Sequence, residues 1–212
     1  MKKAVILLHG FLNNSLVMAY MGSKLSSAGF RVYHFNYRTR HYSEKTLEDL
    51  NSLIDKVAEK EIHLVGHSMG GLVIRNYLHT EKYKTNFKNI KSVVTIATPH
   101  NQSITAHKIN KALKGFLGTA GEAGLTRDLG KWTNTIPVGC IAAVYKSKLN
   151  ANLSLLFNDK KTDNDGTVFL EEAILDDCSD SIILEGSHTG VLFQKNVAKQ
   201  LISYLLTENF VK

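Results

Sequence analysis

Short, nearly continuous apolar runs recur along the chain, at Ala4–Leu8, Arg31–Tyr37, Ile62–Val65, Ser92–Ala97, Val138–Val144 and Ser181–Leu184. Runs of this length without a polar face are what strands buried on both sides require, and they predict a parallel sheet covered above and below. Between them the period changes. Leu47, Leu50, Ile54 and Val57 recur at helical spacing behind Ser43, a ready N-cap, and Val197, Leu201, Tyr204 and Leu205 repeat the pattern near the end of the chain. Strand–helix alternation predicts an α/β fold: a three-layer α/β/α sandwich with about six parallel strands, in one domain over residues 1–212. Ligands of such sheets bind outside the carboxyl ends of the strands, so the loops that follow the apolar runs are where chemistry is expected.

One segment departs from the tight alternation. Residues 101–135 carry Ile109, Ala112, Leu113, Phe116 and Leu117 at the spacing of an amphipathic helix, followed by Gly118, Gly121, Gly124 and Gly130. Two readings are open for it: a helix that covers the sheet, or a lid that lines the site beside the strand ends.

Composition narrows the class. With 43% hydrophobic and 21% charged residues, 15 Gly and 2 Pro in 212 residues, the chain is ordinary globular material. Lys and Arg number 26 against 19 Asp and Glu, a net charge of +7. The basic residues fall in small groups such as Arg38/Arg40 and Lys82/Lys84/Lys88/Lys91, without a stripe interleaved with aromatics, so no nucleic-acid partner is expected. The chain has no apolar stretch long enough to span a membrane, which leaves surface contact with anionic lipid as the most that the charge favours. Ala4–Leu8 is too short for the apolar core of a signal peptide, so a cytoplasmic location is expected. Cys140 and Cys178 lack metal-ligand spacing; free thiols in a reducing compartment are the expectation, with a disulfide between them as the alternative. Neither a metal nor a cofactor is implied by any motif.

The decisive stretch is Ile62 to Gly71, in which an apolar run leads straight into Gly66-His67-Ser68-Met69-Gly70 and Leu72, Val73 and Tyr77 resume at helical spacing. This is the pattern of a nucleophile elbow, a strand-to-helix turn so tight that Ser68 takes strained backbone angles and the flanking glycines must lack Cβ atoms. A serine hydroxyl needs a base, and the base needs an orienting carboxylate. His188, in the loop after the last apolar run, is placed to be that base. Asp159, Asp163, Asp165, Asp176, Asp177 and Asp180 all precede it; Asp165 is favoured because its turn leads into Thr167-Val168, and Asp163 is held in reserve. An oxyanion needs two backbone donors, one from Met69 after the nucleophile and one from the loop Leu8-His9-Gly10-Phe11, with Phe11 the favoured donor and His9 bracing the loop.

The stretches LLHGF at residues 7–11, GHSMGG at 66–71, ATPH at 97–100, DGTV at 165–168 and SHTGVL at 187–192 resemble the α/β-hydrolase superfamily. Within it they resemble the small lipase/esterase-like branch that includes class 2 bacterial lipases and GPI-inositol-deacylase-like hydrolases. The resemblance implies Ser68 as nucleophile, Asp165 as acid, His188 as base, and Phe11 and Met69 as oxyanion donors. At this length it also implies little or no cap domain, so Leu12, His100 and residues 101–135 are expected to touch substrate. Gln102 departs from the family pattern, which has a small residue there. The implied activity is hydrolysis of a small-molecule ester or lipid through an acyl-serine. Thioesterase, amidase or acyltransferase chemistry on the same residues is the alternative, and a non-catalytic ligand-binding role the remaining one.

Overall fold

The computed structural model describes residues 3–145 and 163–211, so Asp159 lies outside the described residues. Six strands form one sheet: β1 (Ala4–Leu8), β2 (Arg31–Phe35), β3 (Ile62–His67), β4 (Ile90–Ile96), β5 (Val138–Val144) and β6 (Asp180–Glu185). Their order is β2-β1-β3-β4-β5-β6 and every pairing is parallel. The chain goes from β1 out to one edge and returns to β3 on the other side of β1. That reversal opens a crevice at the carboxyl ends of β1 and β3.

Alternation along the strands sorts the core into two layers. On one face Ala4, Ile6 and Leu8 of β1 pack with Leu47, Leu50 and Ile54 of α2 (Glu44–Lys56) and Leu72, Val73 and Tyr77 of α3 (Met69–His79). On the other, Val5 and Leu7 pack with Met21 and Leu25 of α1 (Ala19–Ser27) and Val197, Leu201 and Tyr204 of the C-terminal helix, Lys195–Thr207. The four inner strands are almost wholly buried, whereas the edge strands β2 and β6 keep polar residues such as His34 and Glu185 at the surface. Ser43 and Thr46 cap α2 reciprocally, as the sequence led one to expect of Ser43.

The amphipathic stretch after β4 lies elsewhere than its spacing predicts. Helix α4 spans Ile104–Ala112, starting at Ser103, whose hydroxyl accepts the Ala106 N–H at 3.1 Å. It stops before Leu113, and Gly115 and Gly118 at φ +79° and +56° turn the chain. Ile109 and Leu117 pack inward, while Leu113 remains 59% exposed. The short α5 (Leu170–Ala173) follows the second described segment's opening turn and precedes β6; the C-terminal helix is therefore α6.

The turn from β3 into α3 is closed to backbone contact on both sides. A Cβ on Gly66 would overlap the backbone of Gly70 and Gly71, and one on Gly70 would overlap the Leu8 carbonyl. Backbone cannot step aside as a flexible side chain can, so Gly66→Ala is expected to lower unfolding stability by about 3 kcal/mol or more. Urea denaturation measures this, and a wild-type midpoint in the variant would contradict the packing.

Candidate active site

Ser68 sits between β3 and α3 with φ 53° and ψ −124°, a conformation that no ordinary side chain adopts without constraint. The constraint is visible. Its N–H donates to Ile96 O at 2.9 Å, and its carbonyl accepts the Thr98 hydroxyl at 3.0 Å. The strained turn thereby stays attached to the end of β4 on both sides and lifts the Ser68 hydroxyl out of the sheet.

His188 arrives from the loop after β6. Its Nε2 accepts the Ser68 hydroxyl at 3.0 Å, and its Nδ1–H donates to Asp165 Oδ2 at 2.7 Å. The His188 backbone N–H also donates to the Asp165 carbonyl at 2.8 Å, which docks the two loops independently of the ring. Asp165 is 2% exposed, and its second oxygen accepts the N–H groups of Thr167 and Val168 at 2.9 and 2.8 Å. With one oxygen taken by two backbone donors, the other is left to accept the His188 Nδ1–H, which fixes the imidazole's orientation and tautomer. Asp163, the reserve acid, is exposed.

The loop after β1 closes over the serine. Gly10 lies so near that a Cβ there would stand 2.9 Å from the Ser68 Cβ. His9 braces this loop as expected: Nδ1 donates to Gly10 O, Nε2 accepts the Tyr37 N–H, and the ring stacks on Tyr37 with centroids 4.6 Å apart. Leu12 follows at φ +56° with its N–H on the Thr39 hydroxyl.

Ser68 and His188 open onto a pocket of about 270 Å³. Phe11 and Leu12 form one side, Thr167 and Val168 a second, and Ile109 and Phe116 a third. Residues 101–135 are thus both cover and wall. Arg75 donates from α3 to the Gly130 carbonyl at 2.6 Å, and Asn76 to the Ala123 carbonyl at 2.8 Å, so the segment is fastened to the helix behind the serine.

His100 is a correction. It was expected to touch substrate, but it is 1% exposed and lies beneath the pocket, where Nδ1 faces Arg75 and Nε2 the Thr95 hydroxyl at 3.0 Å. Gln102, whose bulk departs from the family pattern, is absent from the pocket wall; its side chain pairs with His107 at 3.0 Å. Two buried groups escaped the sequence reading. Arg75 was hidden in an apolar helix, and Glu172 stands in a helix of four residues, too short to leave a period. Cys140 and Cys178 are free thiols in contact with one another, not a disulfide. Among the described residues no group of three or more His, Cys, Asp or Glu could hold a metal ion.

The family model of the alpha/beta hydrolase fold matches residues 3–131, more than half of the chain. The chain belongs to the alpha/beta hydrolase fold family. No curated protein matches it by sequence. Among solved structures it is similar to the mature form of a Bacillus licheniformis lipase, with TM-score 0.66 and 16% identity over 90% of this chain and 86% of that one. It is also similar to a metagenomic carboxyl esterase, with TM-score 0.68 and 16% identity, covering 88% of this chain but 64% of that one. A thioesterase domain from the curacin biosynthetic pathway aligns with TM-score 0.55 and 15% identity over 97% and 92%. These likenesses carry the fold.

This alpha/beta hydrolase buries several titratable groups. Burial pushes His63 down to about 4, and burial followed by the neighbouring His188 pushes His67 down to about 3. Burial, then Arg75, holds His100 well below its ordinary value. Glu172 moves the other way: burial raises it to about 7 against the two backbone N–H groups that favour its charge. Each lowered histidine contributes stability above its unfolded value that is lost as the pH falls through about 6.5. Raised Glu172 contributes stability at low pH that is lost as the pH rises through about 7. Between pH 5 and 6 unfolding takes up most of a proton at each of His63, His67 and His100 and releases one from Glu172. Stability should therefore fall on acidification by roughly 2–3 kcal/mol per pH unit. Urea titrations at several pH values check this, and a flat profile contradicts it.

Proposed function

We propose that the protein is a serine hydrolase of carboxylic esters. The observation that carries this is the hydrogen-bonded chain from Ser68 through His188 to Asp165, opening onto a pocket whose walls are mostly apolar and, among the described residues, carry no Lys, Arg, Asp or Glu. In the reaction Ser68 Oγ attacks the ester carbonyl as His188 Nε2 takes the hydroxyl proton. Asp165 holds the resulting imidazolium, and the oxyanion is received by the Phe11 and Met69 N–H groups. His188 then gives its proton to the departing alcohol, leaving acyl-Ser68. A water, deprotonated by His188, attacks that ester; the acid leaves and Ser68 regains its proton.

Several features support these roles. Phe11 borders the pocket beside Ser68, and Met69 opens α3, whose amino-terminal dipole end favours negative charge. The uncharged pocket suits a neutral, hydrophobic acyl or alcohol group, as in a small-molecule ester or lipid. Two free thiols in mutual contact suit a reducing, cytoplasmic setting.

p-Nitrophenyl esters of graded acyl length test the proposal. Wild type should turn them over, and Ser68→Ala should lose on the order of a million-fold in kcat. Asp165→Asn should lose about ten-thousand-fold, because the amide stabilises the wrong imidazole tautomer. An unchanged rate in Ser68→Ala rejects Ser68 as nucleophile.

A further inference from the structure

Glu172 is a buried carboxylate, 2% exposed, outside the chain of groups that would react. Among the described residues no Lys, Arg or His forms an ion pair with it. Its oxygens are divided between two different parts of the site. Oε1 accepts the Ile104 N–H at 2.8 Å, at the first residue of α4; Oε2 accepts the Phe169 N–H at 3.2 Å, at the end of the turn that carries Asp165. Its own carbonyl accepts the His100 N–H at 2.6 Å, in the loop between β4 and α4. The two carboxylate ties lead to different walls of the pocket. Thr105, Ala106 and Ile109 of α4 line one wall, while Thr167 and Val168, whose N–H groups hold Asp165, line the other.

Burying a carboxylate away from any cation is costly, and an apolar side chain there would avoid that cost. What such a side chain could not do is accept one N–H from each of two segments about 65 residues apart in the chain. We infer that Glu172 is a positioning residue of the hydrolase site, whose carboxylate clasps the α4 wall of the pocket to the Asp165 turn so that acyl pocket and acid stay in register. This rests on the ester-hydrolase reading and extends it to the way the acyl group is held. The clasp needs both oxygens as acceptors. An amide can serve one of the two N–H groups and must turn its own N–H₂ toward the other.

The test compares Glu172→Ala and Glu172→Gln with wild type on p-nitrophenyl acetate and p-nitrophenyl octanoate, with backbone amide exchange read in parallel. The two-carbon acetyl group has little surface to lay against α4, so it reports chiefly the Asp165 turn; the octanoyl chain reports both walls. In Glu172→Ala, kcat should fall about ten-fold on both esters, and KM should rise about ten-fold further on the octanoate alone. The Ile104 and Phe169 amides should exchange faster, and Glu172→Gln should fall between wild type and Ala on every readout. If Glu172→Ala does not fold, the Gln variant carries the comparison. Equal losses on the two esters, or folded variants with wild-type kinetics and wild-type exchange at Ile104 and Phe169, overturn the inference while leaving the ester-hydrolase reading intact. A wild type that hydrolyses neither ester, though Ile104 and Phe169 exchange slowly, rejects that reading and with it a positioning role for a clasp that is nonetheless present.

Discussion

A side chain at Gly70 would strike the Leu8 carbonyl, one at Gly66 would strike the start of α3, and one at Gly71 would strike Thr98. Because those three Cβ atoms are missing, β1, β3 and the loop after β4 close to backbone contact around a single residue. Ser68 pays with a left-handed conformation, and the hydrogen bonds to Ile96 and Thr98 hold it there. Everything that faces Ser68 depends on this closure. Gly10 comes within contact of its Cβ, the loop of Phe11 and Leu12 is carried to its rim, and α3 begins with its amino-terminal end beside the hydroxyl.

The layers on either side of the sheet are conventional hydrophobic packing, but the carboxyl edge is held together by polar groups buried with few alternatives. Asp165 is bonded by two backbone N–H groups and His188; Arg75 by the carbonyls of His100 and Gly130; Glu172 by Ile104 and Phe169. Long loops cannot be ordered by apolar contact alone when they must leave a cavity open between them. Directed bonds from rigid elements to loop backbone do that work, since each fixes a position without filling space. The same choice makes the edge sensitive to protonation, as the opposed displacements of His67 and Glu172 indicate.

Periodicity made the sheet legible from the residues alone. Two strands, Ala4–Leu8 and Val138–Val144, have the boundaries that the apolar runs mark, because buried parallel strands need apolar residues on both faces. The glycine-flanked serine, the histidine after the last strand and the aspartate in its turn were equally legible, since each belongs to a local motif, and the structure brings the three side chains into one hydrogen-bonded row. What the sequence hid is what depends on distant partners. The helix expected from Ile109 to Leu117 starts at Ile104, because Ser103 caps it and Gly115 ends the turn beyond it; spacing registered the apolar face but not those limits. His100 reads as a site residue by its place at a strand end. Only the buried Arg75 on a separate helix explains why it turns beneath the pocket.

The net charge of +7 gains a different meaning once the pocket is seen. Among the described residues none that lines it is Lys, Arg, Asp or Glu, so their basic groups lie outside the cavity in which a substrate would sit. A charged acyl group would have to give up its hydration there with no opposite charge to receive it, a cost that apolar contact does not offset. A neutral hydrophobic group loses only unfavourable hydration on entry. Surface charge can influence how ligands approach, through a field that salt screens over about 10 Å. In the proposed reaction, selection within the cavity would fall to shape and apolar contact, offered by Phe11, Val168 and Ile109, one from each wall. The register of those walls is a backbone property, fixed at the Ser68 turn on one side and at the Asp165 turn on the other.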